Sequence, residues 1–165
     1  MEKHHFLQIV NNNRGIIRSL CKIYYADSED QKDTFQDIIL QLWKSVGTFR
    51  GASEISTWIY RVSLNTILNK KRKGQRSISV EPLDMQLKDV QVAKADDNVE
   101  LLHLIIQSLK DIDKAIVVLY LEGYRNKEIA EMLELSLTNV TTRFNRIKSQ
   151  LKTKFNGKAH ATKRS

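Results

Sequence analysis

Two stretches of this chain combine side chains suited to nucleic acid. Residues 34–73 read TFQDIILQLWKSVGTFRGASEISTWIYRVSLNTILNKKRK, acidic at the start and basic at the end, with rings at Phe35, Trp43, Phe49, Trp58 and Tyr60. Cations neutralise phosphates and flat rings stack on unpaired bases, each stacked base being worth ~1–3 kcal/mol. The basic end, with Trp58 and Tyr60 near the start of a helix and Lys70, Lys71, Arg72 and Lys73 at its end, therefore suits single-stranded nucleic acid. The acidic, apolar end suits a protein. A competing reading makes Trp58 at least partly core and Trp43 core or interface. The second stretch, residues 127–148, has the form of a helix-turn-helix: a short helix, a three-residue turn and an amphipathic helix with a basic outer face. Ala130 is small enough to let the two helices cross closely. The outward residues of the second helix are Thr138, Asn139, Thr142, Arg143, Asn145 and Arg146. Asn pairs with adenine and Arg with guanine, while Thr and a helix N-terminus suit phosphates. The bland alternative is a solvated basic face.

Catalytic and metal chemistry find little support. Asp27, Glu29, Asp30, Asp33 and Asp37 gather in one place, but no His joins them, and an acidic helix start explains them. His4 and His5 adjoin the terminus, and His103 and His160 are isolated. There is no phosphate-cradling Gly loop and no nucleophile–base pairing. No catalytic residue, metal or cofactor is expected. Cys21 is the single cysteine, which excludes an intrachain disulfide and reads as a small buried hydrophobe.

Charge points the same way as the motifs. The 165 residues carry a net charge of +8, so a polyanionic partner is the first suspicion. Residues 55–80 contain no acid but carry Arg61, Lys70–Lys73 and Arg76; residues 135–165 contain no acid but eight cations, from Arg143 to Arg164. Two separate basic blocks imply two nucleic-acid contacts. No apolar run approaches the ~18 residues of a membrane span, and the N-terminus is too polar for a signal peptide. The cytoplasm is the expected compartment.

The elements that must position these groups are helical. Hydrophobic content of 41%, with one Pro and six Gly, fits an α-rich chain. Apolar residues recur at helical spacing over residues 3–26, weakened by Asn11–Asn13 and Gly15. Asp27 or Ser28 can cap the next helix, whose buried face would be Phe35, Ile38, Ile39, Leu42 and Val46. Residues 47–52 read as a turn. Ser53 or Ser56 can cap a helix to about Lys73, with Ile59, Val62, Ile67 and Leu68 inward. Residues 74–98 contain Pro82 and lack a period, which reads as a linker with at most one helical turn near Met85. Val99, Leu102, Ile105, Ile106 and Leu109 then form one stripe, and Ile116, Leu119 and Tyr120 another. Gly123 ends that helix. A short helix over residues 126–133 and a final one, capped by Ser136 and lined by Val140, Phe144, Ile147 and Leu151, complete the pattern.

The segment FQDIILQLWKSVGTFRGASEISTWIYRVSLNTILNKKRK resembles region two of sigma-70 family factors, particularly the small extracytoplasmic-function group, with its Q-[DE] to Trp helix followed by F-R-G-x-S and T-W-[LI]-Y-R. The segment LEGYRNKEIAEMLELSLTNVTTRFNRIKSQL resembles region four, with its EIAE-x-L helix and S-x-x-[TN]-V-x-x-R recognition helix. Together these segments cover roughly half the chain. The resemblance implies a transcription initiation factor that binds core RNA polymerase, directs it to promoters and assists melting. By position, it makes Gln36, Asp37, Leu40, Gln41 and Trp43 the face for the clamp helices of the largest polymerase subunit. Arg61, Asn65, Asn69 and Lys70–Lys73 fall on the minus-ten helix. The segment 51–58, ending at Trp58, resembles the loop and helix start beside flipped bases. Ser136, Thr138, Asn139, Thr142, Arg143 and Arg146 fall on the minus-thirty-five helix. Three positions depart from the family pattern: Glu134 stands where many relatives have Gly, Leu109-Lys110 replaces a Leu-Pro pair, and Asn126 replaces an aromatic.

The expected architecture is all-α: two small helical domains joined by a flexible linker, the second a helix-turn-helix (winged-helix-like) DNA-binding domain. The expected boundaries are 1–75 for region two, 76–98 for the linker and 99–165 for region four. The chain would not be an enzyme, because bond formation belongs to the polymerase. Its partners would be core RNA polymerase and promoter DNA. An anti-sigma factor, common in this group, would have to cover both basic surfaces. Two rival readings stay open at this level: a stand-alone repressor or activator using residues 127–148, and a nucleic-acid enzyme using the early carboxylates.

Overall fold

A computed structural model describes the backbone of residues 1–77 and 97–162, and the side chains of residues 1–75 and 99–154. The expected linker, with its turn near Met85, lies from 78 to 96 outside the described residues; the chain is helical on both sides of that gap. Contacts divide the chain into two units, Met1–Gln91 and Val92–Ser165. All regular structure among the described residues is helical, with no strand.

The first unit contains α1 (Lys3–Asn12), α2 (Arg14–Tyr24), α3 (Ser28–Ser45), a 3₁₀ turn (Val46–Thr48) and α4 (Ile55–Ser77). The apolar run that read as one helical stretch is broken at Asn13, not at Gly15. Asn13 leaves helical geometry at φ −113°, and its side-chain amide donates to the Ile9 carbonyl at 2.9 Å. A short polar side chain that satisfies its own turn competes with helix propagation. Gly15 sits inside α2. In α3, Ile38 and Leu42 are fully buried, while Phe35 and Ile39 are half-buried at the edges of the stripe, as is Val46 in the turn that follows. Its first turn carries Glu29 and Asp30 near the positive end of the helix dipole. Asp27 precedes the helix in extended geometry and makes no side-chain cap.

Helix α4 buries more than the expected stripe. Trp58, Ile59, Leu64 and Ile67 are all essentially inaccessible, while Val62 is half-buried. The reason is that α2 and α3 both pack against α4, so two of its faces are interior. Two ring contacts secure the periphery. Phe6 meets Trp43 edge-on at 4.9 Å, joining α1 to α3, and Phe49 lies 5.1 Å from Trp58, tying the loop before α4 to that helix. Cys21 is buried, and burial pushes its thiol up to about 11, against a smaller opposing pull from the Lys70 charge.

The second unit contains α5 (Asp97–Ser108), α6 (Asp111–Leu121), α7 (Asn126–Leu133) and α8 (Leu137–Thr162). Ile116, Leu119, Ile129, Val140 and Ile147 form its centre. Two residues placed in buried stripes stand outside instead: Val99 is 65% exposed and Tyr120 is 48% exposed. Tyr120 lays its ring 4.4 Å from Phe144, covering the core edge rather than filling it.

Both helix ends around α7 are defined by left-handed residues. Gly123, at φ 95°, closes α6, with its own N–H donating to the Tyr120 carbonyl and that of Tyr124 to Leu119. The same double closure ends α7: Leu135 N–H donates to Ala130 at 2.9 Å and Glu134 N–H to Glu131 at 3.4 Å. Here the left-handed residue is Glu134, at φ 56° and ψ 41°. Ser136 then caps α8, its Oγ accepting from Asn139 N–H at 3.1 Å, and Glu128 Oε2 accepts from Arg125 N–H at 2.7 Å at the start of α7. Ala130 is buried, and α7 packs against both α6 and α8. Together α7 and α8 form a helix-turn-helix.

A β-carbon in the left-handed region costs about 1–2 kcal/mol, and glycine's freedom in the unfolded chain offsets part of that. Replacing Glu134→Gly should therefore stabilise the second unit by roughly 0.5–1 kcal/mol, read as a higher denaturation midpoint. A Glu134→Val change should lower it. A midpoint indifferent to both substitutions would contradict the strain assigned to this turn.

Candidate nucleic-acid and protein interfaces

At about 100° per residue, Gln36, Leu40 and Trp43 share an arc of roughly 60° on α3, with Asp37 and Gln41 turned toward one flank. The structure bears out that arithmetic. Leu40 is 50% and Trp43 43% exposed, and Gln36 and Gln41 are also exposed. An apolar groove of about 490 Å³ opens beside them, walled by Phe6 and Leu7 of α1 and by Phe35, Ile39, Leu40 and Trp43 of α3. Phe6 and Leu7 were not among the sequence-derived site residues. Their signal was an apolar pair on a helix with too few apolar partners to bury both.

Asp37 does not join this face. Its Oδ2 accepts from Lys70 Nζ at 2.7 Å, and Asp33 Oδ2 accepts from the same ammonium at 2.7 Å. Partial burial disfavours the Lys70 charge, but the two carboxylates outweigh it and hold the ammonium protonated well above a lysine's ordinary range. The residue expected on DNA and the residue expected on polymerase are thus bonded to each other. Helical geometry explains this: Lys70 lies about 180° around α4 from Arg61.

The rest of the basic run divides in the same way. Arg61, Asn65, Asn69 and Arg72 share an arc of about 80° on α4, and Arg61, Asn69 and Arg72 are exposed while Asn65 is half-buried. Arg72 donates to Asn69 Oδ1 at 2.6 Å, which orders the end of this stripe. Lys73 is exposed at its border. Lys71 leaves the stripe and lays its ammonium 4.1 Å from the Tyr25 ring. Trp58 requires correction: at 1% exposure it cannot offer its face to a base, because α4 is interior on that side. Its part is to support the loop through Phe49.

On α8 the core residues Val140, Phe144 and Ile147 point to one side. Thr138, Thr142 and Asn145 are exposed on the other, and Ser136 is exposed at the cap. Asn139 and Arg143 occupy a flank, and that flank faces a carboxylate. Asp113 of α6 is 5% exposed, and accepts from Arg143 Nη1 at 3.0 Å and from Arg146 Nη2 at 3.2 Å. Arg143 Nε also donates to Asn139 Oδ1 at 2.7 Å. Both arginines expected on DNA are held within the unit, and Arg146 remains half exposed. Asp113 went unnoticed in the sequence because an acid in a helix's first turn is ordinarily solvated.

Comparisons with known proteins agree with this geometry. Residues 9–77 match the family described as Sigma-70 region 2, and residues 100–151 match Sigma-70, region 4. The chain is 26% identical to the RNA polymerase sigma-H factor of Pseudomonas aeruginosa, over 91% of this chain and 86% of that one. It is also 26% identical to the ECF RNA polymerase sigma-E factor of Escherichia coli K12, over 79% of this chain and 76% of that one. In fold it is similar to the sigma factor RpoE of Bartonella quintana, solved with the anti-sigma factor NepR, at TM-score 0.67 and 15% identity over 90% of this chain and 95% of that one. A second similar fold is CnrH, solved with the cytosolic domain of CnrY, at TM-score 0.63 and 18% identity over 94% and 90% of the two chains. Two helical units, the second a helix-turn-helix, and matches to both regions in order lead to one conclusion: the chain belongs to the sigma-70 family, in its extracytoplasmic-function group, as a non-catalytic factor that binds core RNA polymerase and promoter DNA and directs promoter-specific initiation.

Proposed function

We propose that the two units divide promoter recognition. Residues 1–75 act as region two, docking on polymerase and capturing melted minus-ten bases; residues 99–165 act as region four, reading minus-thirty-five duplex; residues 76–98 link them. The observation that carries this reading is the segregation of surfaces in the first unit. Gln36, Leu40 and Trp43 form an exposed face on α3 that suits the polymerase clamp, with Gln41 exposed on its flank, and Arg61, Asn65, Asn69, Arg72 and Lys73 form a separate polar and basic stripe on α4. Asp37 and Lys70 join the two helices rather than serving either partner alone.

The loop through Phe49 and Gly51, backed by Phe49 on Trp58, sits before α4 and is the place for flipped bases. Capturing unpaired bases favours melted DNA only, so it shifts the closed–open equilibrium without any chemistry by the factor itself. In the second unit Thr138, Asn139, Thr142 and Asn145 reach toward base edges and phosphates, Ser136 holds the helix start, and Arg146 offers its exposed edge to the backbone. Arg143 acts chiefly by positioning, through Asp113 and Asn139. The cytoplasm is the compartment in which core polymerase and promoter DNA are met. An anti-sigma partner would act by covering these surfaces; a similar fold, the sigma factor RpoE of Bartonella quintana, is solved with the anti-sigma factor NepR.

Transcription with purified core polymerase on a promoter library tests the reading: specific starts should appear only when the chain is added. Leu40→Asp should remove those starts and weaken polymerase binding at least tenfold, about 1.4 kcal/mol, with an unchanged unfolding midpoint. Retained affinity would contradict the docking face. In the second unit, Asn139→Ala should weaken binding to upstream duplex by ~1–3 kcal/mol and change the unfolding midpoint little. Arg143→Ala should lower the midpoint as well, because it strips one of two cations from a buried carboxylate. An unmoved midpoint in that variant would contradict the positioning role.

A further inference from the structure

A third basic surface remains outside both DNA stripes. Arg14, Arg18 and Lys22 recur every four residues along α2, so they lie on one helix face, and all three are exposed. The helix reads RGIIRSLCKIY and carries no acid. Like charges at this spacing repel one another. Among the described residues none of the three has a carboxylate within ion-pair distance; Arg14 instead places its guanidinium 5.5 Å from the Phe35 ring. These cations wall a cleft of about 530 Å³ between α2 and α3, with Lys32, Phe35 and Gln36 opposite.

Phe35 and Gln36 also line the apolar groove of Leu40 and Trp43, so the cleft and the groove adjoin at these two residues. The rings here are not base platforms. Trp43 is engaged edge-on by Phe6, and Phe35 is half-buried beneath Arg14. An occupant of both depressions must bring apolar side chains to the groove and negative charge to the cations beside it. An amphipathic helix with an acidic flank has that chemistry, whereas a phosphate backbone would leave the groove of Leu7, Leu40 and Trp43 uncovered.

We propose that Arg14, Arg18 and Lys22 extend the polymerase-docking face onto α2 and take an acidic flank of the polymerase helix seated in the apolar groove. The inference rests on the docking role of α3 and adds to it a charge rule for the partner. It predicts that docking is salt-sensitive through α2, since exposed ion pairs are screened within a Debye length of about 10 Å at 0.1 M salt.

The test measures affinity of the full chain for core polymerase at low and high salt. The variants are Arg18→Glu with Lys22→Glu, Arg18→Lys as the conservative control, and Leu40→Asp as the control for α3. The charge-reversed chain should bind at least tenfold more weakly at low salt, the difference should shrink at high salt, and Arg18→Lys should bind nearly as the parent. Helical circular dichroism should be the same for all. If charge reversal leaves affinity unchanged while Leu40→Asp abolishes it, the α2 contact is refuted and the α3 face survives. If neither moves affinity, the docking reading fails with it. If charge reversal spares polymerase binding but weakens promoter binding by the assembled holoenzyme, the cations serve DNA and the proposal is overturned.

Discussion

The long basic helix of each unit, α4 in the first and α8 in the second, is seated by carboxylates from a neighbouring helix, and the surfaces left for partners depend on that pairing. In the first, Lys70 of α4 is clamped by Asp33 and Asp37 of α3, each at 2.7 Å. In the second, Arg143 and Arg146 of α8 converge on Asp113 of α6. The two seats differ in strength. The α3–α4 clamp is largely solvent-exposed and adds modestly to a contact already secured by Trp58, Ile59, Leu64 and Ile67. Asp113 is buried, and a buried carboxylate stripped of its cations would be costly, so it fixes which way α8 can lie.

Those seats define what is left for partners. Cations turned inward cannot neutralise phosphates, so the outward stripe of α4 consists of Arg61, Asn65, Asn69 and Arg72, bordered by Lys73. The charge reversal along residues 34–73 is accordingly a joint inside the protein as much as a division between two partners. Its acidic part holds its basic part, which leaves the exposed apolar residues of α3 for the proposed polymerase contact and the polar stripe of α4 for the proposed DNA contact. On α8 the outermost groups are short and uncharged, Thr138, Thr142 and Asn145, with guanidinium groups held on one flank. A reading surface of this kind relies on a fixed helix position more than on the number of its charges.

Much of this was legible in residue order. The period of apolar residues located α3, α4, α7 and α8, and α7 falls at Asn126–Leu133 as the spacing predicts. Gly123 and Ser136 ended and began helices as their chemistry dictates. Three things were not legible. The polar run Asn11–Asn13 marked the weak point of the first helical run, but spacing did not reveal the Asn13 side-chain bond that fixes the break there. The full burial of Trp58 followed from two helices packing on α4, which is a tertiary fact. Pairing across elements separated by thirty residues or more, Lys70 with Asp37 and Arg143 with Asp113, exists only once the helices are packed. Angular arithmetic on α4 alone would have set Lys70 opposite Arg61, and with it the inward turn of that charge. The left-handed Glu134 was foreseeable from its position, two residues before the cap of α8.

The central claim is that the two units touch different forms of the same promoter, the second meeting duplex and the first meeting separated strands. Site-specific photocrosslinking from two positions in the open holoenzyme complex, one at Thr142 on α8 and one at Arg61 on α4, tests it most directly. The account predicts that the α8 probe labels only base-paired upstream DNA, and that the α4 probe labels the minus-ten region, where its yield rises as the strands separate. Labelling of upstream duplex from both positions, or of melted bases from α8, would contradict it.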